Sequence, residues 1–166
     1  MSEKTDGVAI VPGSFDPITN GHINIVKRAA ELYGRVYLAV MINSEKSYMF
    51  SLEERKKIAE RALEGIDGVS VISSEGYLWK LAKDLDAVAI VKGVRNEVDR
   101  AYELKMAEYN AERNPVAKTV LLECESGLGE LSSTLVREKI LNGEDISEYL
   151  PSSAVDEINK IRAERF

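Results

Sequence analysis

The sequence predicts an α/β fold, with a doubly wound, five-stranded parallel sheet, helices on both faces and a C-terminal helical extension. Short apolar runs alternate with amphipathic stretches along the whole chain, at the spacing of strand–helix–strand units. Residues 36–42 are continuously apolar, which is typical of a parallel strand covered on both faces. Neither a linker nor a repeat interrupts this alternation, so we expect a single domain over residues 1–166.

Three strands and two helices are predicted in the first half of the chain. Apolar runs at residues 8–11, 36–42 and 69–73 predict the strands. Between the first two runs, residues 23–33 carry apolar side chains at helical spacing, which predicts the first helix. A second helix is expected to begin at Ser51, because the sequence Ser-Leu-Glu-Glu that starts there matches a capping box.

The second half of the chain continues the alternation. A short helix is predicted over residues 77–84, and a buried strand over residues 87–91. Apolar residues at helical spacing predict a long helix over residues 98–114, which Pro115 stops. The remaining predicted elements are a fifth strand over residues 119–123, a helix over residues 132–141 and a last helix that opens at Pro151-Ser152-Ser153.

We expect a ligand cleft at one edge of this sheet. In doubly wound, Rossmann-like sheets, ligands bind beyond the carboxyl ends of the strands, where the strand order reverses. Four segments follow the predicted strands one, two, four and five, and they should share that cleft. They are residues 14–22, Lys46, residues 92–95 and residues 125–134.

The composition of the chain argues against several functional classes of protein. The formal net charge of −6 argues against nucleic-acid binding driven by bulk positive charge. No apolar stretch approaches the ~20 residues that a membrane span needs. The chain starts with polar residues and has one cysteine, Cys124, so we expect a reducing, cytoplasmic location without a signal peptide. One cysteine and one histidine cannot supply the usual ligands of a zinc site.

The turn over residues 13–22, Gly-Ser-Phe-Asp-Pro-Ile-Thr-Asn-Gly-His, is the most informative segment. It connects a predicted strand to a predicted helix, and such a connection aims backbone N–H groups and the helix dipole at one point, where a phosphate binds. Gly13 and Gly21 let the backbone approach a ligand closely. His22, the only histidine, is expected to face that point. The alternative is an ordinary surface turn with a polar helix start. Neither a Walker loop nor Gly-x-Gly-x-x-Gly occurs in the chain.

Three cations are expected at the same sheet edge. Lys46 follows the second strand, and Lys92 and Arg95 follow the fourth. Arg95 can hold phosphate oxygens bidentately, whereas the lysines act as point charges. Taken singly, each residue is better explained as a solvated surface charge, but their joint placement favours a phosphate site.

The loop after the fifth strand ends in three hydroxyl residues, Ser132-Ser133-Thr134, at the start of a predicted helix. Ser and Thr favour N-cap positions, so helix capping is one explanation. Capping needs only one of them, so three in a row favour a second helix N-terminus that donates to a polyphosphate.

The cleft has donors and cations but no evident nucleophile. One histidine and one cysteine give no plausible Ser-His-Asp or Cys-His arrangement. We expect Cys124 to be a small core residue and Asp16 to form the turn rather than act as a general base. This pattern favours transfer of a phosphoryl or nucleotidyl group between two bound anions, with catalysis by positioning and charge stabilisation.

Together these motifs resemble the bacterial phosphopantetheine adenylyltransferases, in the nucleotidyltransferase superfamily marked by His/Thr-x-Gly-His. The resemblance spans nearly the whole chain, which implies a single nucleotidyltransferase domain. It rests on residues 12–22, on residues 49–55 (Met-Phe-Ser-Leu-Glu-Glu-Arg), on residues 92–95 with Asp99 and Tyr102-Glu103, and on residues 132–136.

The resemblance implies transfer of AMP from ATP to 4′-phosphopantetheine, giving dephospho-coenzyme A and pyrophosphate, the penultimate step of coenzyme A synthesis. It also implies Mg²⁺ bound mainly through the ATP phosphates, with no protein ligand assigned, and a homohexamer. One alternative is a related nucleotidyltransferase acting on nicotinamide mononucleotide or another phosphorylated acceptor. The other is a catalytically silent module that binds adenine nucleotides.

The same resemblance assigns site residues. His22 would stabilise charge on the α-phosphate in the transition state. The implied ATP site consists of Ser14, Phe15, His22, Gly93, Val94, Arg95, Glu103, Leu128, Gly129, Glu130, Leu131, Ser132, Ser133 and Thr134. The implied phosphopantetheine site consists of Ser14, Lys46, Leu78 and Lys92. For Leu78, packing in a helix core is an equal alternative.

Four positions depart from the family pattern. Lys92 replaces a common arginine and so lacks its planar fork, and Arg100 stands where an aromatic residue is common. Leu128 replaces a larger aromatic residue of some members. Tyr48 stands where proline is usual, which predicts a more mobile Lys46 loop.

Overall fold

A computed structural model of the chain describes residues 4–125, 127–128 and 131–165. It contains five strands and six helices in the described residues, in the order that the periodicity predicts. The strands are β1 Thr5–Gly13, β2 Tyr33–Met41, β3 Val69–Ser74, β4 Ala87–Val94 and β5 Lys118–Glu123. The helices are α1 Asn20–Leu32, α2 Leu52–Ala62, α3 Leu78–Asp84, α4 Glu97–Arg113, α5 Ser133–Leu141 and α6 Ser152–Arg165.

The strands form one parallel sheet with the order β3-β2-β1-β4-β5. The chain runs from β1 outward to β3, returns to place β4 on the other side of β1, and ends the sheet with β5. The strand order therefore reverses between β1 and β4, which opens a crevice at their carboxyl ends. The predicted doubly wound α/β fold is confirmed.

Successive residues of the central strands face opposite sides of the sheet, as the period of a strand requires. On one side, Ala9 and Val11 of β1 join the larger core cluster, which includes Val26 of α1, Ile58 of α2 and Ile158 of α6. On the other side, Ile10 joins a smaller cluster with Ala39, Ala82 and Ile90. Both faces of the sheet are thus buried, which explains the continuous apolar runs in the sequence.

Two predicted boundaries that bear on the site are wrong. The first helix begins at Asn20, three residues before the predicted start, because Thr19 and His22 form its capping box. The fourth strand extends to Val94, so Lys92 and Gly93 lie within β4, where they pair with Leu121 and Leu122 of β5. The apolar periodicity of the sequence ends at Val91 and gives no sign of this extension.

The remaining elements cap and close the sheet. Ser51 caps α2, and its side chain accepts a hydrogen bond from the backbone N–H of Glu54, as predicted. The C-terminal helix α6 packs against α2, where the Ser153 hydroxyl donates to the backbone carbonyl of Arg61 at 2.8 Å. In the part of the chain that the structure describes, no helix is both long enough and apolar enough to span a membrane.

Candidate active site

A cavity of about 360 Å³ opens at the carboxyl ends of β1 and β4, and all four predicted segments line it. Twelve of the predicted site residues contribute to its wall. They are Ser14, Phe15, His22, Lys46, Lys92, Gly93, Arg95, Glu103, Leu128, Leu131, Ser132 and Ser133. A neighbouring cavity of about 510 Å³ shares Ser14, Phe15, His22, Lys46 and Ser133 with the first, and adds Thr134 to the predicted residues.

Two of the predicted site residues that the structure describes, Val94 and Leu78, are not in these walls. Val94 is buried at the end of β4, and Leu78 packs against the smaller core cluster, which is the alternative that the sequence left open. Gly129 and Glu130 lie outside the described residues. The binding roles of all four stay predictions from the resemblance.

His22 is held by the first turn of α1. The backbone N–H of Thr19 donates to Nδ1 of His22 at 3.0 Å, and the Thr19 hydroxyl lies 3.2 Å from the same nitrogen. The Phe15 ring meets the imidazole edge-on, with the centroids 5.0 Å apart. Because Nδ1 accepts a hydrogen bond from an amide, the proton of the neutral ring belongs on Nε2. His22 therefore offers an N–H donor in the cavity wall.

The charge state of His22 follows from its surroundings. Burial, together with the nearby positive charge of Arg95, lowers the pKa of His22 from 6.5 to about 4. A protonated ring would also carry a hydrogen on Nδ1, which would face the Thr19 amide. The imidazole is thus neutral at pH 7 and acts as a hydrogen-bond donor rather than as a cation.

This lowered pKa predicts a pH-dependent stability. Between about pH 6.5 and about pH 4 the unfolded chain binds a proton at His22 that the folded chain does not, so acidification favours unfolding over that interval. The free energy of unfolding should therefore decrease less in His22→Gln than in the wild type when the pH is lowered from about 7 to about 5. Urea unfolding of both proteins at the two pH values measures this. Equal decreases would contradict the lowered pKa.

Two of the three predicted cations are tied to α4. Lys92 pairs with Glu103 at 3.0 Å, and Arg95 pairs with Asp99 at 3.0 Å. The Arg95 guanidinium beside Asp99 lowers the pKa of that carboxyl group. Lys46 is exposed, and its ammonium forms no ion pair with any other described residue. Among the described residues, the cavity therefore has two cations that carboxylates hold in its wall, Lys92 and Arg95, and a third, Lys46, that no carboxylate holds.

The hydroxyl residues at the start of α5 have three different roles. Ser132 is the N-cap, since its side chain accepts from the backbone N–H of Leu135 at 3.1 Å. The Ser133 hydroxyl donates to the Pro17 carbonyl at 2.7 Å, and the Thr134 hydroxyl accepts from Arg137 at 3.1 Å. Ordinary capping explains Ser132, Ser133 connects α5 to the turn after β1, and Thr134 contacts Arg137 of the same helix.

The turn after β1 is fixed by two buried polar side chains, Asp16, which was expected to form the turn, and Arg55, for which no role was predicted. The Asp16 carboxylate is 2% exposed and accepts from the backbone N–H groups of Met49 and Phe50 at 2.9 and 3.0 Å. Arg55, also buried, donates to the Ser14 carbonyl at 2.7 Å. The only sequence signal for Arg55 was its place in the segment 49–55, which carries the resemblance.

Several residues that line the cavities were not predicted as site residues. Asp99 and Cys124 line the first cavity, and Tyr48 and Arg137 line the second. Cys124 was expected in the core, but it is half-buried in the cavity wall, and burial raises the pKa of its thiol.

Gly93 of β4 packs closely against α1. A side chain at position 93 would press on α1, because a Cβ there would lie 3.0 Å from Cγ1 of Ile25.

The described residues contain no group of three or more His, Cys, Asp or Glu side chains that is placed to hold a metal ion. The described carboxylates that line the first cavity, Asp99 and Glu103, are each paired with a cation. Such pairs suit a metal ion that is held mainly by substrate phosphates rather than by an all-protein cage.

Comparison with known proteins gives consistent results. A family model described as cytidylyltransferase-like matches residues 10–139. Phosphopantetheine adenylyltransferase from Clostridium novyi (strain NT) is 41% identical to this chain over 93% of this chain and 96% of its own. The protein of the same name from Paenarthrobacter aurescens (strain TC1) is 44% identical over 89% of each chain.

A solved structure is similar in fold. Plasmodium falciparum nicotinic acid mononucleotide adenylyltransferase, complexed with NaAD, superposes with a TM-score of 0.65 and covers 96% of each chain. Its sequence identity of 14% supports a shared fold and no more.

Proposed function

Because the chain belongs to the phosphopantetheine adenylyltransferases of the cytidylyltransferase-like family, we propose a specific division of labour within its cleft. The enzyme transfers the adenylyl group of ATP to 4′-phosphopantetheine and releases pyrophosphate. The observation that carries the mechanism is the neutral His22 imidazole, whose Nε2–H lies in a cavity wall with three cations.

The reaction is proposed to be a single in-line displacement. A phosphate oxygen of phosphopantetheine attacks the α-phosphorus of ATP, the new P–O bond forms, and the bond to the pyrophosphate oxygen breaks. No covalent enzyme intermediate is needed, since the described wall offers donors and cations for positioning and charge stabilisation. His22 would donate from Nε2 to an α-phosphate oxygen, where negative charge develops in the transition state.

The cations are proposed to divide between the two substrates. Lys46, which is exposed and forms no ion pair among the described residues, would take the acceptor phosphate. Lys92 would share in phosphate binding by giving up part of its contact with Glu103, while Arg95 and Glu103 would line the ATP site. Residues 128–134 would cover the adenine and the triphosphate, since Leu128, Leu131 and the hydroxyl residues face the cavities.

Mg²⁺ is proposed to enter with ATP. Mg²⁺ typically keeps several waters and binds through substrate phosphates and at most one or two carboxylates. The cation-rich wall fits a metal held that way. When bound, the ion would reduce the charge on the phosphates that the acceptor must approach, and we assign it no protein ligand.

The acceptor is tested with purified protein, ATP and Mg²⁺. Pyrophosphate release should be rapid with 4′-phosphopantetheine and close to the no-acceptor background with nicotinamide mononucleotide or pantetheine, which lacks the phosphate. Faster release with nicotinamide mononucleotide would support the alternative nucleotidyltransferase. ATP binding without release for any acceptor would support the silent module.

A homohexamer and a cytoplasmic location complete the proposal. Helix α4 has an exposed apolar stripe of Val98, Tyr102, Met106 and Tyr109, and among its described residues only Asn110 is buried. Such a stripe on one helix face suits contact with other copies of the chain. Sedimentation analysis of the purified protein measures the number of copies.

Two features support a cytoplasmic location, namely the proposed use of ATP and the single cysteine in the sequence.

A further inference from the structure

One side chain, Tyr48, joins the loop that carries Lys46 to the turn after β1. Its hydroxyl lies 3.3 Å from Oγ of Ser14, and it accepts a hydrogen bond from the backbone N–H of Asn43 at 2.7 Å. Asn43 lies near the start of the Lys46 loop, and Ser14 is the first residue of the turn. A single hydroxyl group therefore touches both segments.

The Tyr48 ring packs against the guanidinium group of Arg55, which is itself held in place by hydrogen bonds. The guanidinium carbon of Arg55 lies 3.9 Å from the centroid of the ring. Arg55 itself is held by three backbone carbonyls, those of Ser14 at 2.7 Å, Met41 at 3.0 Å and Phe50 at 3.2 Å. Met41 ends β2 and Phe50 precedes the cap of α2, so Arg55 ties both ends of the loop to the turn.

From these contacts we propose that Tyr48 is a positioning residue for the acceptor half of the site, acting through Ser14. The tie between the Tyr48 hydroxyl and Ser14 Oγ orients the Ser14 side chain and holds the Lys46 loop against the turn. The inference rests on the proposed function, in which Lys46 takes the acceptor phosphate, and on the implied phosphopantetheine site, which includes Ser14. A loop already held near its bound position loses less conformational freedom when the acceptor binds.

The expected effect is selective for the acceptor. Tyr48→Phe keeps the ring on Arg55 and removes only the hydroxyl group. The KM for 4′-phosphopantetheine should rise about fivefold, whereas kcat and the KM for ATP should stay within about twofold of the wild type. An unchanged KM for the acceptor, or an equal rise for ATP, would overturn the proposal.

Tyr37→Phe is the matched control. Tyr37 lies on β2, the strand before the loop, and also carries an arginine over its ring, with Arg35 5.4 Å from the centroid. Its substitution should leave both KM values unchanged. Arg55→Lys is a second variant that removes the guanidinium group but keeps the charge, and it should raise the KM for the acceptor at least as much as Tyr48→Phe does.

A double-mutant cycle tests whether Tyr48 acts through Ser14. Ser14→Ala removes the other end of the tie, so adding Tyr48→Phe to it should produce little further rise in the KM for the acceptor. A general loss of packing would instead give effects that multiply. If Tyr48→Phe still raised that KM about fivefold in the Ser14→Ala background, the tie would not be its route of action.

A substrate-free readout separates this proposal from the proposed function. Trypsin cleavage after Lys46, which lies in the exposed part of the loop, should be several times faster in Tyr48→Phe than in the wild type and in Tyr37→Phe. Equal cleavage rates would overturn the tie even in an active enzyme. A wild type that releases no pyrophosphate with phosphopantetheine, but whose cleavage responds as expected, would overturn the proposed function and leave the tie supported.

Discussion

Replacing His22 with alanine is expected to lower kcat about 10²–10³-fold or more, with much smaller changes in the KM for ATP and for phosphopantetheine. The imidazole is neutral, and its Nδ1 already accepts from the Thr19 amide, so its remaining polar group is the Nε2–H donor, which no described residue engages. A donor that is aimed at developing charge lowers the barrier of the chemical step more than it strengthens substrate binding. Steady-state kinetics with both substrates varied measure this.

Two variants sharpen the test. His22→Gln can donate from its amide and should retain more turnover than His22→Ala. Thr19→Ala removes the hydroxyl near Nδ1 but keeps the amide that fixes the tautomer, so its kcat should fall much less. A kcat of His22→Ala within about threefold of the wild type would remove His22 from the mechanism.

Replacing Asp16 with alanine is expected to lower the free energy of unfolding by about 2–4 kcal/mol. The carboxylate is 2% exposed, and its loss leaves the buried backbone N–H groups of Met49 and Phe50 without an acceptor. It also removes the negative charge that lies near Arg55 and, at 3.8 Å, Arg137. Urea unfolding measures the change. If the slope of the free energy of unfolding against urea concentration is unaltered, the change arises in the folded state.

Asp145→Ala is the matched control. Asp145 also accepts from a backbone N–H group, that of Ser147 at 3.0 Å, but it lies in an exposed turn. Its loss should change the free energy of unfolding by only about 0.5 kcal/mol, because water can replace the carboxylate. Similar losses in the two variants would show that burial of Asp16 is not the reason for its importance.

The sequence predicted the architecture well because the relevant signals are local. Apolar runs identified the five strands, and helical spacing together with helix-start signals identified the six helices. The parallel direction of the strands was enough to place Ser14, Lys46, Lys92 and Arg95 at one sheet edge. Boundaries were less accurate where side chains decide them. The capping pair of Thr19 and His22 started α1 early, and pairing with β5 extended β4 through residues that are not apolar.

The long helix α4 shows a different limit. Its apolar spacing predicted a helix correctly, but spacing does not say what covers an apolar face. In the described chain this face is exposed, whereas the carboxylates Asp99 and Glu103 of the same helix turn toward the cavity and pair with Arg95 and Lys92. Helical spacing shows which residues share a face of the helix. Whether that face is buried or exposed depends on which other elements pack against it.

The fold class, the order of the elements and the four segments that meet above the sheet could be predicted from local sequence, because periodicity and strand direction depend on neighbouring residues. The neutral state of His22, the pairing of two cations with α4, and the burial of Asp16 and Arg55 could not be predicted in this way. Those properties depend on distances between groups that are far apart in the chain and on their removal from water, and neither quantity is written in local sequence.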